Sequence, residues 1–251
     1  MSSGPGYLKS IELLRGGISN LSEYPFHLPA VRSLERLSLH PKVTYIVGEN
    51  GTGKSTLMEA IAVAWGFNPE GGTINFNFAT AESHSELHRH LRLARGIHKA
   101  RDGFFFRAES YYNLASEIDR MDNDEDRRDP PLISSYGGKS LHEQSHGESF
   151  FATFQHRFGG RGLYILDEPE AALSPLRQLS MLSRIHELVQ KHSQFIIATH
   201  SPILMAYPDS IIYELNQDGI REVELEETSH FTLMKQFVNH KKAMLEELFA
   251  E

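Results

Sequence analysis

Eight consecutive residues, Gly48-Glu49-Asn50-Gly51-Thr52-Gly53-Lys54-Ser55, satisfy the pattern G-x-x-x-x-G-K-[ST] in full, and Thr56 follows. Glycines at 48, 51 and 53 let the backbone curl until its N–H groups point inward, making a cradle for phosphate oxygens. A helix starting at Lys54 would aim the positive end of its dipole at the same point. The Lys54 ammonium suits the β- and γ-phosphates of a nucleoside triphosphate, and the Ser55 hydroxyl suits the Mg²⁺ that accompanies them.

A second constellation lies downstream, where the apolar run 163–166 (LYIL) ends in Asp167, Glu168 and Pro169. Strands of a parallel sheet end at the ligand crevice. Asp167 would then stand beside Mg²⁺, reaching it through water. Glu168 would face the γ-phosphate and position or deprotonate the attacking water. Two acids after an apolar strand are by themselves an ordinary solvated strand end; the complete phosphate cradle upstream favours the catalytic reading.

These residues need elements to hold them. Runs 7–14, 43–47, 104–106 (FFF), 163–166 and 195–198 read as strands, and 210–215 with 220–225 as a strand pair turning at Asp218-Gly219. Helices are expected from about Lys54 to Trp65, over 84–99, from Leu141 to Arg157, from the Ser174-Pro175 cap to Lys191, and over 231–249. The charged stretch 119–131 reads as a surface loop. Strands alternating with helices predict an α/β P-loop NTPase with a mostly parallel central sheet. The expected organisation is a single domain over 1–251, with a core of 1–75 and 158–251 and a small inserted helical lobe over 76–157.

Ahead of the carboxylate strand stands Gln144-Ser145-His146-Gly147-Glu148. It resembles the signature L-S-G-G-Q/E of ATP-binding-cassette (ABC) ATPases, matching at Ser145, Gly147 and Glu148, with Gln144 in place of leucine and His146 in place of glycine. Glu170-Ala171-Ala172-Leu173-Ser174-Pro175 resembles that family's D-loop region. The strand 195–198 followed by Thr199-His200-Ser201-Pro202 resembles its switch strand and histidine; His200 read alone is also compatible with a satisfied histidine at a strand end. The wording of these motifs, and the stretch from Phe76 to Ser149, is similar to a compact soluble branch of predicted ATPases related to the RecF and structural-maintenance-of-chromosomes group.

The resemblance covers about residues 40 to 215 and implies ATP and Mg²⁺ as cofactors. It implies ATP hydrolysis in a homodimer formed on ATP binding, where residues 145–148 of one copy cap the γ-phosphate on the other. Glu168, His200 and Lys54 would be the catalytic residues, residues 48–56 and 145–148 the nucleotide contacts, and Ser55, Asp167 and Glu109 the metal side.

There are departures. No glutamine follows the FFF strand where a Q-loop is expected. Arg107-Ala108-Glu109-Ser110 stands there, with Glu109 either part of the Mg²⁺ and water network or a plain surface residue. Tyr24, Phe26 and Tyr7 are candidates for an adenine platform, and each reads more readily as core. The interval from Lys54 to Ser145 is too short for a long coiled-coil arm.

Composition narrows the setting. The 251 residues carry a net charge of −8, against a whole-surface nucleic-acid binder. A local basic cluster (Arg89, Arg92, Arg95, Lys99, Arg101) reads as a solvated helix face or a docking surface for phosphate or an acidic partner. There is no cysteine, which suits a reducing cytoplasm, the expected compartment. No apolar run reaches the ~18 residues a membrane span needs, so no membrane insertion is expected of this chain. The functional expectation is a soluble ATP-driven motor or switch on an unknown macromolecular partner, DNA being a candidate, in maintenance or defence. The alternative is the nucleotide-binding subunit of a transporter docked on a separate membrane chain.

Overall fold

Every residue of β3 (Val43–Gly48) is buried, because the strand is covered on both faces. Val43, Tyr45 and Val47 enter one hydrophobic core and Ile46 the other, as the two-residue period of a strand requires. The structure is a computed structural model describing residues 6–74, 85–124 and 130–250.

Four more strands extend the sheet parallel to β3: β5 (Asp102–Arg107), β6 (Gly162–Asp167), β7 (Gln194–Ala198) and β8 (Ile211–Asn216). An antiparallel edge, β9 (Gly219–Val223), completes the order β5-β6-β7-β3-β8-β9. A three-stranded antiparallel sheet stands apart from it, with β1 (Leu8–Leu13) between β2 (Arg36–Ser38) and β4 (Leu91–Arg95). The α/β fold with a mostly parallel sheet is therefore as expected.

Helix α2 (Lys54–Trp65) lies in the core shared by the two sheets, where Leu57, Met58 and Ile61 meet Leu8, Ile11 and Ile196. The opposite face of the main sheet is covered by α3 (Tyr111–Asp122), α4 (His146–His156) and α5 (Pro175–Gln190). Their core is rich in aromatic rings; Phe106 and Phe150 lie 4.1 Å apart, and Phe158 stacks on Tyr164 at 4.3 Å. Three short or peripheral helices remain: α1 (Pro29–Ser33), α6 (Pro202–Met205) and α7 (Ser229–Leu248).

Three sequence expectations change. The helix over 84–99 is instead a 3-10 turn, Glu86–His90, followed by β4. Leu91 and Leu93 are two apart, a strand period, and pair with Leu13 and Ile11 of β1. The basic residues Arg92 and Arg95 consequently lie on an edge strand, where charge discourages unwanted pairing. Of the expected helical lobe over 76–157, β4 joins the second sheet and β5 the main one, and the α-helices among the described residues lie between Tyr111 and His156. The loop expected from 119 begins as helix, since Asp122 caps the backbone N–H groups of Leu132 and Ile133 at 2.6 and 2.8 Å, and Asp119 accepts from Ser140 at 2.7 Å. Residues 75–84 and 125–129 lie outside the described residues.

Candidate active site

The chemistry-bearing residues collect where β3, β6 and β7 end. Gly48 closes β3 with φ 143°, and a Cβ there would lie 2.2 Å from the Leu215 carbonyl oxygen, so only glycine allows β8 so near. The loop turns through further left-handed glycines at 51 and 53 into the N-terminus of α2. Lys54 reaches back across it, its Nζ donating to the carbonyls of Gly48 at 2.8 Å and Glu49 at 3.1 Å. Thr52 Oγ1 donates to Glu49 O at 2.8 Å, tightening the same turn. Burial pulls the Lys54 ammonium below its ordinary value while Glu168 and Asp167 draw it back.

Ser55 Oγ lies 3.3 Å from Asp167 Oδ1, which brings together two hard oxygen donors from opposite ends of the sequence motif pair. That donor set fits Mg²⁺, which prefers few protein oxygens plus phosphate and water. Asp167 is buried, and burial pushes its carboxyl up to about 7, with Arg107 opposing. A bound cation would favour the charged form. Arg107 stands opposite Asp167 in the β5–β6 register. Its Nη1 donates to the buried Glu59 of α2 at 2.6 Å and its Nη2 to Glu109 at 3.4 Å.

Glu168 adopts φ 51°, a left-handed conformation that costs a non-glycine residue about 1–3 kcal/mol. Its N–H donates to Ala198 O on β7 at 2.9 Å, and the turn aims its carboxylate into the cleft. Glu168 Oε1 is 3.3 Å from His200 Nε2. The His200 backbone N–H in turn donates to Glu170 Oε1 at 2.6 Å. On its other side, His200 Nδ1 meets His230 Nε2 of α7 at 3.0 Å.

A cleft of about 400 Å³ opens in front of this array. Its walls include Tyr24, Lys54, Ser55, Thr56, Glu109 and Glu168. Tyr24 corrects the expectation that it is core. It is 59 % exposed, and its hydroxyl lies 3.3 Å from Thr56 Oγ1, whereas Tyr7 and Phe26 are buried. Glu109 is 79 % exposed at the rim.

The segment 145–148 is built differently. Ser145 caps α4; its N–H and Oγ both approach Glu148 Oε2, at 3.2 and 2.7 Å. Gly147 packs so tightly on the D-loop segment that a Cβ would lie 2.3 Å from Ala172 O. Arg177 of α5 donates to the Gly147 carbonyl at 3.1 Å. Ser145, Gly147 and Glu148 are not among the described residues lining the cleft.

Comparison with known proteins agrees with this architecture. A family described as AAA domain matches residues 24–129. Among solved structures, MJ1267 in its ADP conformation, an ATP-binding cassette of an ABC transporter, superposes with a TM-score of 0.51 at 17 % identity over 100 % of both chains. The fold is that of an ABC-type ATPase. The cbiO1 protein from Clostridium perfringens, part of the ABC transporter complex cbiONQ, aligns at 18 % identity and TM-score 0.48 over 98 % of this chain and 100 % of its own. The SMC head domain from Thermotoga maritima aligns at 20 % identity and TM-score 0.42 over 86 % and 99 %.

Within this fold the structure gathers residues 48–56, Glu109, Asp167, Glu168 and His200, while Ser145, Gly147 and Glu148 are not among the described residues lining the cleft. Sequence reading missed Glu59, Arg107, Glu170 and His230 as neighbours of the site. Glu170 was in plain view beside Glu168. His230 carries no local signal, since it reaches His200 only through the fold.

Proposed function

We propose that the chain binds Mg-ATP on residues 48–56 and hydrolyses it within a head-to-tail pair of copies. The observation that carries this reading is the convergence of Lys54, Ser55, Asp167 and Glu168 at one end of the parallel sheet. The backbone of the loop and Lys54 would hold the β- and γ-phosphates, with Ser55 and Asp167 on the Mg²⁺ side. Glu168 would take the proton of the attacking water as its oxygen bonds to the γ-phosphorus, while the bridging bond to ADP breaks. His200 would hold the Glu168 carboxylate in place. The exposed Tyr24 ring is available for the adenine face.

The exposed Ser145 and the α4 N-terminus form a second anion site, which would serve the nucleotide of the other copy. ATP then acts as glue, and loss of the γ-phosphate loosens the pair. Such a cycle suits a motor or switch acting on a macromolecule, with DNA a candidate partner in maintenance or defence. Among the described residues no helix is long and apolar enough to cross a membrane. Arg107 and Glu109, standing where a transporter-type cassette would carry its coupling glutamine, favour the switch over the transporter subunit.

The test is the solution mass of the Glu168→Gln chain with and without Mg-ATP. A doubling of mass that depends on ATP is expected. ATP binding with no change of mass would overturn the shared site.

A further inference from the structure

The pair His200–His230 has no counterpart in the motifs read from the sequence, and the donor and acceptor roles of its four ring nitrogens can be worked out from their neighbours. His200 Nε2 faces Glu168 Oε1 at 3.3 Å. A carboxylate only accepts, so that nitrogen must carry the proton. A neutral His200 then has a bare lone pair on Nδ1, which lies 3.0 Å from His230 Nε2. His230 Nε2 must therefore be the donor, and His230 Nδ1 is left as the bare nitrogen.

That last atom is buried without a hydrogen-bond partner. The assignment leaves a bare ring acceptor at that place and no stranded N–H. The opposite assignment turns the His200 Nε2 lone pair onto the carboxylate, which is repulsive. Burial and the nearby Lys54 ammonium both hold His200 below its ordinary value, favouring the neutral ring that the scheme requires.

The donor is itself well anchored. His230 sits in the first turn of α7, where the buried Thr228 accepts from Phe231 N at 3.3 Å. Ser229 N and Oγ both donate to Glu214 Oε1, at 2.8 and 2.7 Å, and Glu214 projects from β8. The rest of α7 contributes no buried residue.

We infer that His230 is a positioning residue for hydrolysis, whose Nε2–H locks His200 in the tautomer that donates from Nε2 to Glu168. The inference rests on the hydrolytic reading above and adds to it a C-terminal element that holds the switch histidine.

The experiment uses the full chain. ¹⁵N imidazole spectra of the wild type should show His200 as the Nε2–H tautomer; the Nδ1–H form overturns the inference. In steady-state ATPase assays, His230→Phe should lower kcat roughly 10- to 100-fold, as for other partners that orient a functional imidazole. Its ATP affinity, titrated directly, should stay within about 2-fold, since no ground-state contact is lost. His230→Gln places an amide N–H where Nε2–H was and should recover most of the rate. A loss of equal size in both variants would mean that His230 only fills space, and overturns the inference. If the wild type turns over ATP and His230→Phe matches it, this inference alone fails. If the wild type binds ATP without turnover, the hydrolytic reading fails and takes the role of His230 with it.

Discussion

The phosphate loop and the segment 145–148 are both turns that open an α-helix, yet they are finished in opposite ways. Lys54 and Asp167 are 4 % and 3 % exposed, and their polar atoms find partners within the chain. Ser145 is exposed and Glu148 carries a side chain 54 % exposed; their side chains meet each other at 2.7 Å, and Arg177 adds a longer ion pair to Glu148 at 3.8 Å. The first is assembled inside a single molecule; the second is packed from behind, by Gly147 against Ala172, and offers its front outward. A residue of the first kind should matter for binding in the isolated chain, and one of the second kind only where two copies meet.

That contrast can be broken by substitution. Lys54→Ala should abolish ATP binding in direct titration, because the phosphates lose their main side-chain cation; retained affinity would remove the phosphate loop from the account. Ser145→Arg should leave ATP binding intact and block hydrolysis, and turnover that persists at high dilution would show that one chain suffices. Glu168→Gln should bind ATP but turn over at least ~100-fold more slowly in single-turnover assays, as for loss of a general base.

Smaller effects sharpen the comparison. Gly147→Ala forces a methyl into the Ala172 carbonyl and should cost about 1–3 kcal/mol in denaturant unfolding. An unchanged midpoint would mean that the α4–D-loop contact is soft. Tyr24→Ala should weaken ATP binding roughly 10-fold, the scale of a lost aromatic–base stack, whereas Tyr24→Phe should not. Equal affinities for all three chains would place the adenine elsewhere.

The strands of the main sheet were legible because a β-branched or aromatic run buried on both faces has few other solutions. Strand β4 was not, since three leucines among basic residues at 87, 91 and 93 satisfy a helical spacing as well as a strand one. Pairing with β1 decides between them. Likewise, the acids 119 and 122 look like loop chemistry until Ser140 and the Leu132 and Ile133 backbone are brought to them.

Residues 48–56 and the Asp167-Glu168 pair stood out in the amino-acid string because each pattern is made of neighbours a few positions apart, and the fold brings the two together. Whether Tyr24 lies in the core or on the cleft wall, which cation stands by Asp167, and which side chain holds His200 from behind are questions about residues brought together from distant positions. Arg107 meets Glu59, and His230 meets His200, only after the sheet has assembled. Burial then sets the strength and direction of those contacts, and burial is a property of the folded chain that no local run of residues contains.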